Sequence, residues 1–165
     1  SSTAKACVAA YARSTRERSP VPIEDEFGGS YTVRGRDFID AGLVSSQIKK
    51  LLKDRGIPED VVRKVAVVTF EAEVNIISYA EIGTINFHVD DKAVTIEAMD
   101  KGQGIPSIDL ALQEGYSTAD DTIRDMGFGA GMGLPNIKKF SDEFEIISIV
   151  GKGTTLKSVI KIPAE

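Results

Sequence analysis

Apolar residues recur at three- and four-residue spacing in two long stretches of the chain and at every second position in several shorter ones. Ala41, Val44, Ile48 and Leu51 form one apolar face, so a helix is expected from a cap at Asp37 to about Asp54. Gly56-Ile57-Pro58 stops it, and Pro58, Glu59 and Asp60 suit the first turn of a second helix. That second helix carries the stripe Val61, Val65, Val68, Ala72, Ile76 and Tyr79, and Gly83 places its end near Ala80. Ile85, Phe87 and Val89 then alternate with Asn86 and His88, and Val94, Ile96 and Ala98 alternate in the returning strand. Asp90-Asp91 is the turn of this antiparallel hairpin.

The remaining pattern is shorter. Gly28-Gly29 reads as a turn and Ser30 to Val33 as a strand. Ile108 to Gln113 reads as a short helix, 115–130 as a polar, glycine-rich loop, and Leu134 to Phe140 as a helix. Phe144 to Val150 and Leu156 to Ile162 are strands joined by Gly151-Lys152-Gly153. Residues 3–18 fit a helix with Ala4, Val8, Tyr11 and Ala12 on one face, and equally suit a partner-docking arm. Ser19-Pro20-Val21-Pro22 reads as a linker. The expected fold is α+β: a two-layer sandwich in which helices cover one face of a mixed, mostly antiparallel sheet. Residues 1–27 are read as an N-terminal extension and linker and 28–165 as one domain.

Composition narrows the classes. The chain has 165 residues, enough for one domain with a real core. Its net charge of −5 gives no electrostatic case for nucleic acid. Within residues 1–20, Lys5, Arg13, Arg16 and Arg18 stand against Glu17 alone, which makes the first segment basic and the rest acidic. A solvated tail is the simple reading of that segment. The single cysteine, Cys7, excludes an internal disulfide and fits a reducing, cytoplasmic setting. No apolar run reaches the ~20 residues a membrane span needs.

Four polar or glycine-rich clusters carry the candidate chemistry. Glu71 and Asn75 are four apart on the second helix and share a side. They read either as a pair at the solvent boundary, or as a carboxylate that orients or deprotonates a nucleophile beside an amide oxygen for Mg²⁺. Glu73 lies about 200° around the helix from Glu71 and is read as solvated. Asp100 ends the inward row Val94, Ile96, Ala98, and Lys101-Gly102-Gln103-Gly104-Ile105-Pro106 turns the chain away behind it. A carboxylate so placed caps backbone or accepts from a ligand amine. Gly127, Gly129, Gly131 and Gly133 alternate just before a helix and read either as a flexible surface loop or as a phosphate site, where unpaired N–H groups and the helix dipole favour an anion. The last cluster is Gly151-Lys152-Gly153-Thr154.

Together, Glu-x-x-x-Asn on a helix, Asp-x-Gly-x-Gly after a strand, Gly-x-Gly-x-Gly before a helix and Gly-x-Gly-Thr between the last strands resemble the histidine-kinase-like ATPase superfamily, also called GHKL or Bergerat-fold ATPases. The resemblance covers about residues 28–162. It implies ATP and Mg²⁺ as ligands. By position, Glu71 is similar to the catalytic carboxylate and Asn75 to the magnesium ligand. Asp100 resembles the acceptor of the adenine amine, with Gly102, Gly104 and Ile105 around the ring. Gly129, Ala130, Gly131, Met132, Gly133 and Leu134 resemble the phosphate-contacting box, and Thr154, or its neighbour Thr155, the threonine supporting the adenine site. Lys138 stands near the expected phosphate end, and Arg124 is either a γ-phosphate contact or a solvated arginine.

The runs Asp100 to Gly104, Glu114-Gly115-Tyr116-Ser117-Thr118, Gly129 to Pro135 and Asp142-Glu143-Phe144 resemble the anti-sigma-factor and switch-kinase branch. That branch implies a serine/threonine protein kinase acting on a small STAS-domain antagonist, with a sigma factor as a further partner and a homodimer as the assembly. The alternative function is a nucleotide-gated protein-binding module with little or no kinase activity. A Rossmann-type dinucleotide site fits poorly, because the glycine run follows a polar loop and lies outside any βαβ unit.

Overall fold

In the computed structural model, residues 5–7, 26–117, 119 and 132–164 are described. They form strand β1 (Lys5–Cys7), β2 (Phe27–Arg34), helix α1 (Leu43–Asp54), α2 (Glu59–Tyr79), β3 (Ile82–Val89), β4 (Ala93–Asp100), α3 (Ile108–Ala111), α4 (Gly133–Phe140), β5 (Glu143–Ile149) and β6 (Gly153–Lys161). The sheet runs β1-β2-β3-β4-β6-β5, and each neighbouring pair is antiparallel. The parallel component implied by a mixed sheet is therefore missing among the described residues. Asp90 closes the β3–β4 hairpin, its Oδ1 accepting from the N–H groups of Lys92 and Ala93 at 2.8 Å each.

Alternation along the strands decides the layers. Ile85, Phe87 and Val89 of β3 and Val94, Ile96 and Ala98 of β4 all turn to the buried side, joined by Tyr31 and Val33 of β2 and Leu156 and Ile160 of β6. Helix α2 lies across this face and buries Val61, Val65, Val68, Ala72 and Ile76, five members of the expected stripe. Helices α1 and α4 pack on its flanks. Each Val or Ile so covered contributes about 1.5–3 kcal/mol relative to exposure, so the α2–sheet contact dominates the core.

Four expectations are corrected. Residues 3–18 do not form one helix, since Lys5–Cys7 is a strand paired with Ser30–Thr32. β2 starts at Phe27, with Gly28 and Gly29 inside it. Asp37 does not cap α1: its Oδ1 accepts from Asp40 N–H at 3.4 Å, and the helix starts after Gly42, whose φ is 95°. Glu73 is not solvated. It is 1% exposed, and its two carboxylate oxygens accept from the N–H groups of Val44 at 3.2 Å and Ser45 at 3.3 Å. The side of α2 opposite Glu71 is covered by α1, and Glu73 supplies from a distance the cap that α1 lacks locally. Burial raises the Glu73 carboxyl above its usual range, the amides oppose this, and nearby Asp40 adds to the rise.

Glu73→Ala orphans two amides and should lower unfolding free energy by about 2 kcal/mol in denaturant titration. A raised folded-state pKa means that the fold binds an extra proton between the unfolded and folded values. Stability from this group is therefore fully present below the unfolded pKa and is lost as pH rises through the folded one. The stability of Glu73→Gln relative to the wild-type chain should accordingly grow with pH across that window.

Candidate functional site

The polar ends of several elements meet around one cavity of about 430 Å³. One wall is α2, through Glu71, Asn75, Ser78 and Tyr79. Facing it are Ala98 and Asp100 of β4, the following loop through Gln103, Gly104 and Ile105, Thr154 and Leu156 of β6, and Met132, Gly133 and Leu134 at the start of α4. Ala98, Leu134 and Leu156 give the interior an apolar lining with few convergent polar groups, the usual make-up of a small-molecule site.

Asp100 closes one end. Its Oδ1 accepts from the Gly102 N–H at 2.8 Å, so the loop turns directly over the carboxylate. A Cβ on Gly102 would lie 2.7 Å from the Tyr79 carbonyl oxygen and 3.0 Å from Asp100 Oδ1. Gly104 has φ of 78°, and a Cβ there would stand 2.5 Å from the Ile149 carbonyl oxygen. Only glycine meets both conditions at Gly104. The loop is tied to the last hairpin as well: Ile105 N–H donates to Ser148 Oγ at 2.7 Å, and Ser148 Oγ lies 2.7 Å from Thr154 Oγ1. Thr154 pairs with both Asp100 and Ser148 across the sheet. Thr155 is exposed and pairs with Met99, so of the two threonines Thr154 belongs to the cavity.

Glu71, Asn75 and Gly133 close the other end. A Cβ on Gly133 would lie 3.2 Å from Asn75 Oδ1 and 3.3 Å from Glu71 Oε2. Asn136 Nδ2 donates to Glu71 Oε1 at 3.4 Å. Burial raises the Glu71 carboxyl above its ordinary range, and the Asn136 bond offsets part of the rise. The first amides of α4 open here, at the positive end of the helix dipole. Among the described residues, no group of three or more His, Cys, Asp or Glu side chains is arranged to hold a metal. One amide oxygen beside one carboxylate is the donor set of a Mg²⁺ that arrives with phosphate oxygens and keeps much of its water. The Asn75 amide oxygen fits that ion, with the Glu71 carboxylate beside it.

Glu71, Asn75, Asp100, Gly104, Ile105, Met132, Gly133, Leu134 and Thr154 all line the cavity, with Gly102 in contact behind Asp100. Gly129, Ala130, Gly131 and Arg124 lie outside the described residues. Lys138 is exposed in the last turn of α4 and is not a lining residue. Sequence reasoning missed Ser148 and Asn136. Ser148 ends the inward row Phe144, Ile146 of β5, the same signal that marked Asp100, while Asn136 follows Gly133 by one helical turn.

Residues 60–165 match the family of histidine kinase-, DNA gyrase B- and HSP90-like ATPases. The chain belongs to this family. It is also 37% identical over 89 residues to the serine/threonine-protein kinase RsbT of Bacillus subtilis, covering 52% of this chain and 61% of that protein. It is 37% identical over 92 residues to the anti-sigma F factor of Caldanaerobacter subterraneus, covering 53% and 61% respectively. The match thus spans about three fifths of the length of these two relatives. ATP is the ligand that membership in this family implies.

Gly133→Ala tests the crowded end. It should leave the melting temperature within a few degrees, because the new methyl meets side-chain ends, and weaken ATP binding about tenfold in calorimetry, because those ends are Glu71 and Asn75.

Proposed function

We propose that this chain is an ATP-dependent serine/threonine protein kinase of the partner-switching type, acting on a small STAS-domain antagonist protein. The observation that carries the reading is a continuous cavity with a carboxylate, Asp100, at one end and Glu71, Asn75 and the α4 N-terminus at the other. One relative is named a serine/threonine-protein kinase, which supports the same activity, and the other an anti-sigma factor, which supports a regulatory setting.

Asp100 accepts from the exocyclic amine of adenine, held in line by the Gly102 N–H. The backbone at Gly104 lets the ring lie against the loop, and Thr154 with Ser148 fixes that loop. The triphosphate extends toward Gly133, where amides of α4 donate to its oxygens. Mg²⁺, held by Asn75 and phosphate oxygens, would neutralise charge that develops on the transferred group. The partner hydroxyl attacks the γ-phosphorus, the bond to the β–γ bridging oxygen breaks, and ADP leaves. Glu71 takes the hydroxyl proton. Its desolvated carboxylate is more basic than a solvated one, and Asn136 keeps one oxygen occupied while the other faces Gly133.

Calorimetry with ATP, with and without Mg²⁺, tests binding. Wild-type chain should bind and Asp100→Asn should not, and absence of wild-type binding would remove the reading. Transfer of labelled γ-phosphate to a purified STAS-domain antagonist tests the chemistry. Glu71→Gln should keep ATP affinity and lose roughly 100-fold or more in transfer rate. The base must be ionised, and its pKa is raised, so the wild-type rate should fall on acidification at a higher pH than an ordinary carboxylate would give. A pH profile of single-turnover transfer measures this.

A further inference from the structure

Ser78 is a polar residue of α2 that neither the fold nor the proposed reaction uses. It is 3% exposed, it lines the cavity, and its Oγ is buried without a hydrogen-bond partner. Three other hydroxyls in or just after a helix bond to a carbonyl of the preceding turn. Thr69 does so to Val65 at 2.7 Å, Ser45 to Gly42 at 3.0 Å and Ser141 to Ile137 at 2.6 Å. Ser78 makes no such bond. A buried hydroxyl left unpaired is costly, and on a residue that lines the cavity a ligand group is the partner within its reach.

Its place along α2 says which part of a ligand it meets. Ser78 follows Glu71 by seven residues and Asn75 by three, so it lies within about 20° of the Glu71 bearing, two turns further on. The next residue, Tyr79, presents the carbonyl that crowds Gly102 beside Asp100 Oδ1. The cavity face of α2 therefore runs from Glu71 near Gly133 to Ser78 near the Asp100 loop.

We propose that the Ser78 hydroxyl is a specificity-determining contact to the base, donating to the ring nitrogen next to the exocyclic amine that Asp100 accepts from. This rests on the ATP reading above. An ionised carboxylate only accepts, whereas a hydroxyl can donate. Adenine offers a donor, its amine, beside an acceptor, N1. Guanine offers the reverse, a carbonyl oxygen beside an N–H, which sets an oxygen against the carboxylate. Asp100 and Ser78 thus form a two-point reader of adenine.

Ser78→Ala, studied with ATP and with 1-deaza-ATP, which lacks the ring nitrogen, tests the contact. Without nucleotide the variant should melt at or above the wild-type temperature, since an unpaired hydroxyl is removed and alanine favours helix. It should bind ATP about fivefold more weakly, the worth of one ordinary hydrogen bond. The wild-type chain should bind 1-deaza-ATP about fivefold more weakly than ATP, and the variant should bind it no worse than the wild type does. Unchanged ATP affinity, an equal loss toward 1-deaza-ATP, or a lowered melting temperature without nucleotide would each overturn the assignment. If the wild-type chain binds ATP and only the Ser78 effects fail, the nucleotide reading stands. If it binds no ATP, both fall.

Discussion

The structure depends on α2 being enclosed. The sheet lies beneath it, α1 covers one flank and α4 the other, and beyond its first turns, over residues 68–79, no residue of the helix is exposed. Polar groups on such a helix are expensive unless each is used. Thr69 turns its hydroxyl back on its own helix, and Glu73 holds the first amides of α1. Glu71, Asn75 and Ser78 fall on the one remaining side, which is the cavity. The enclosure that stabilises the core also concentrates the polar groups of α2 where a ligand can meet them.

The two ends of the cavity are built differently. At the Asp100 end, sheet register aligns Asp100, Thr154 and Ser148 on three neighbouring strands, and short hydrogen bonds carry that order into the following loop. At the Glu71 end, the side-chain hydrogen bond between the two helices among the described residues is the 3.4 Å one from Asn136, beside a close approach of Gly133. A rigid end suits recognition of a constant group. An end held by few bonds suits a group whose charge and length change during a reaction.

Much of this was legible in the sequence because it is periodic. The stripe of α2 and the alternation of β3 and β4 reported the elements, and Asp100 stood out as an acid closing an apolar row. Ser148 carried the same mark at the end of Phe144 and Ile146. What escaped depends on distant partners. Helical rotation put Glu73 opposite Glu71, yet rotation says nothing of what lies there, and α1 does. Asp37 looked like a local cap because the true cap of α1 comes from a residue 29 positions away. Lys5–Cys7 shows no strand pattern of its own and is a strand only through its pairing with β2. Pairing between remote segments has no local signature in a stretch so short.

The glycine contacts at the Asp100 end bear on how such a protein can diversify. There part of the support of the cavity wall is main chain: Tyr79 presents a carbonyl to Gly102, and Ile149 presents one to Gly104. A surface made of side chains can be rewritten one substitution at a time. A surface made of backbone resists this, since any new side chain must first displace the chain that faces it. Mutational drift is therefore channelled outward, to positions such as Ile147 and Val150 on the exposed edge hairpin, where a substitution leaves the interior packing alone. Descendants of such a chain can acquire new neighbours while inheriting the same pocket.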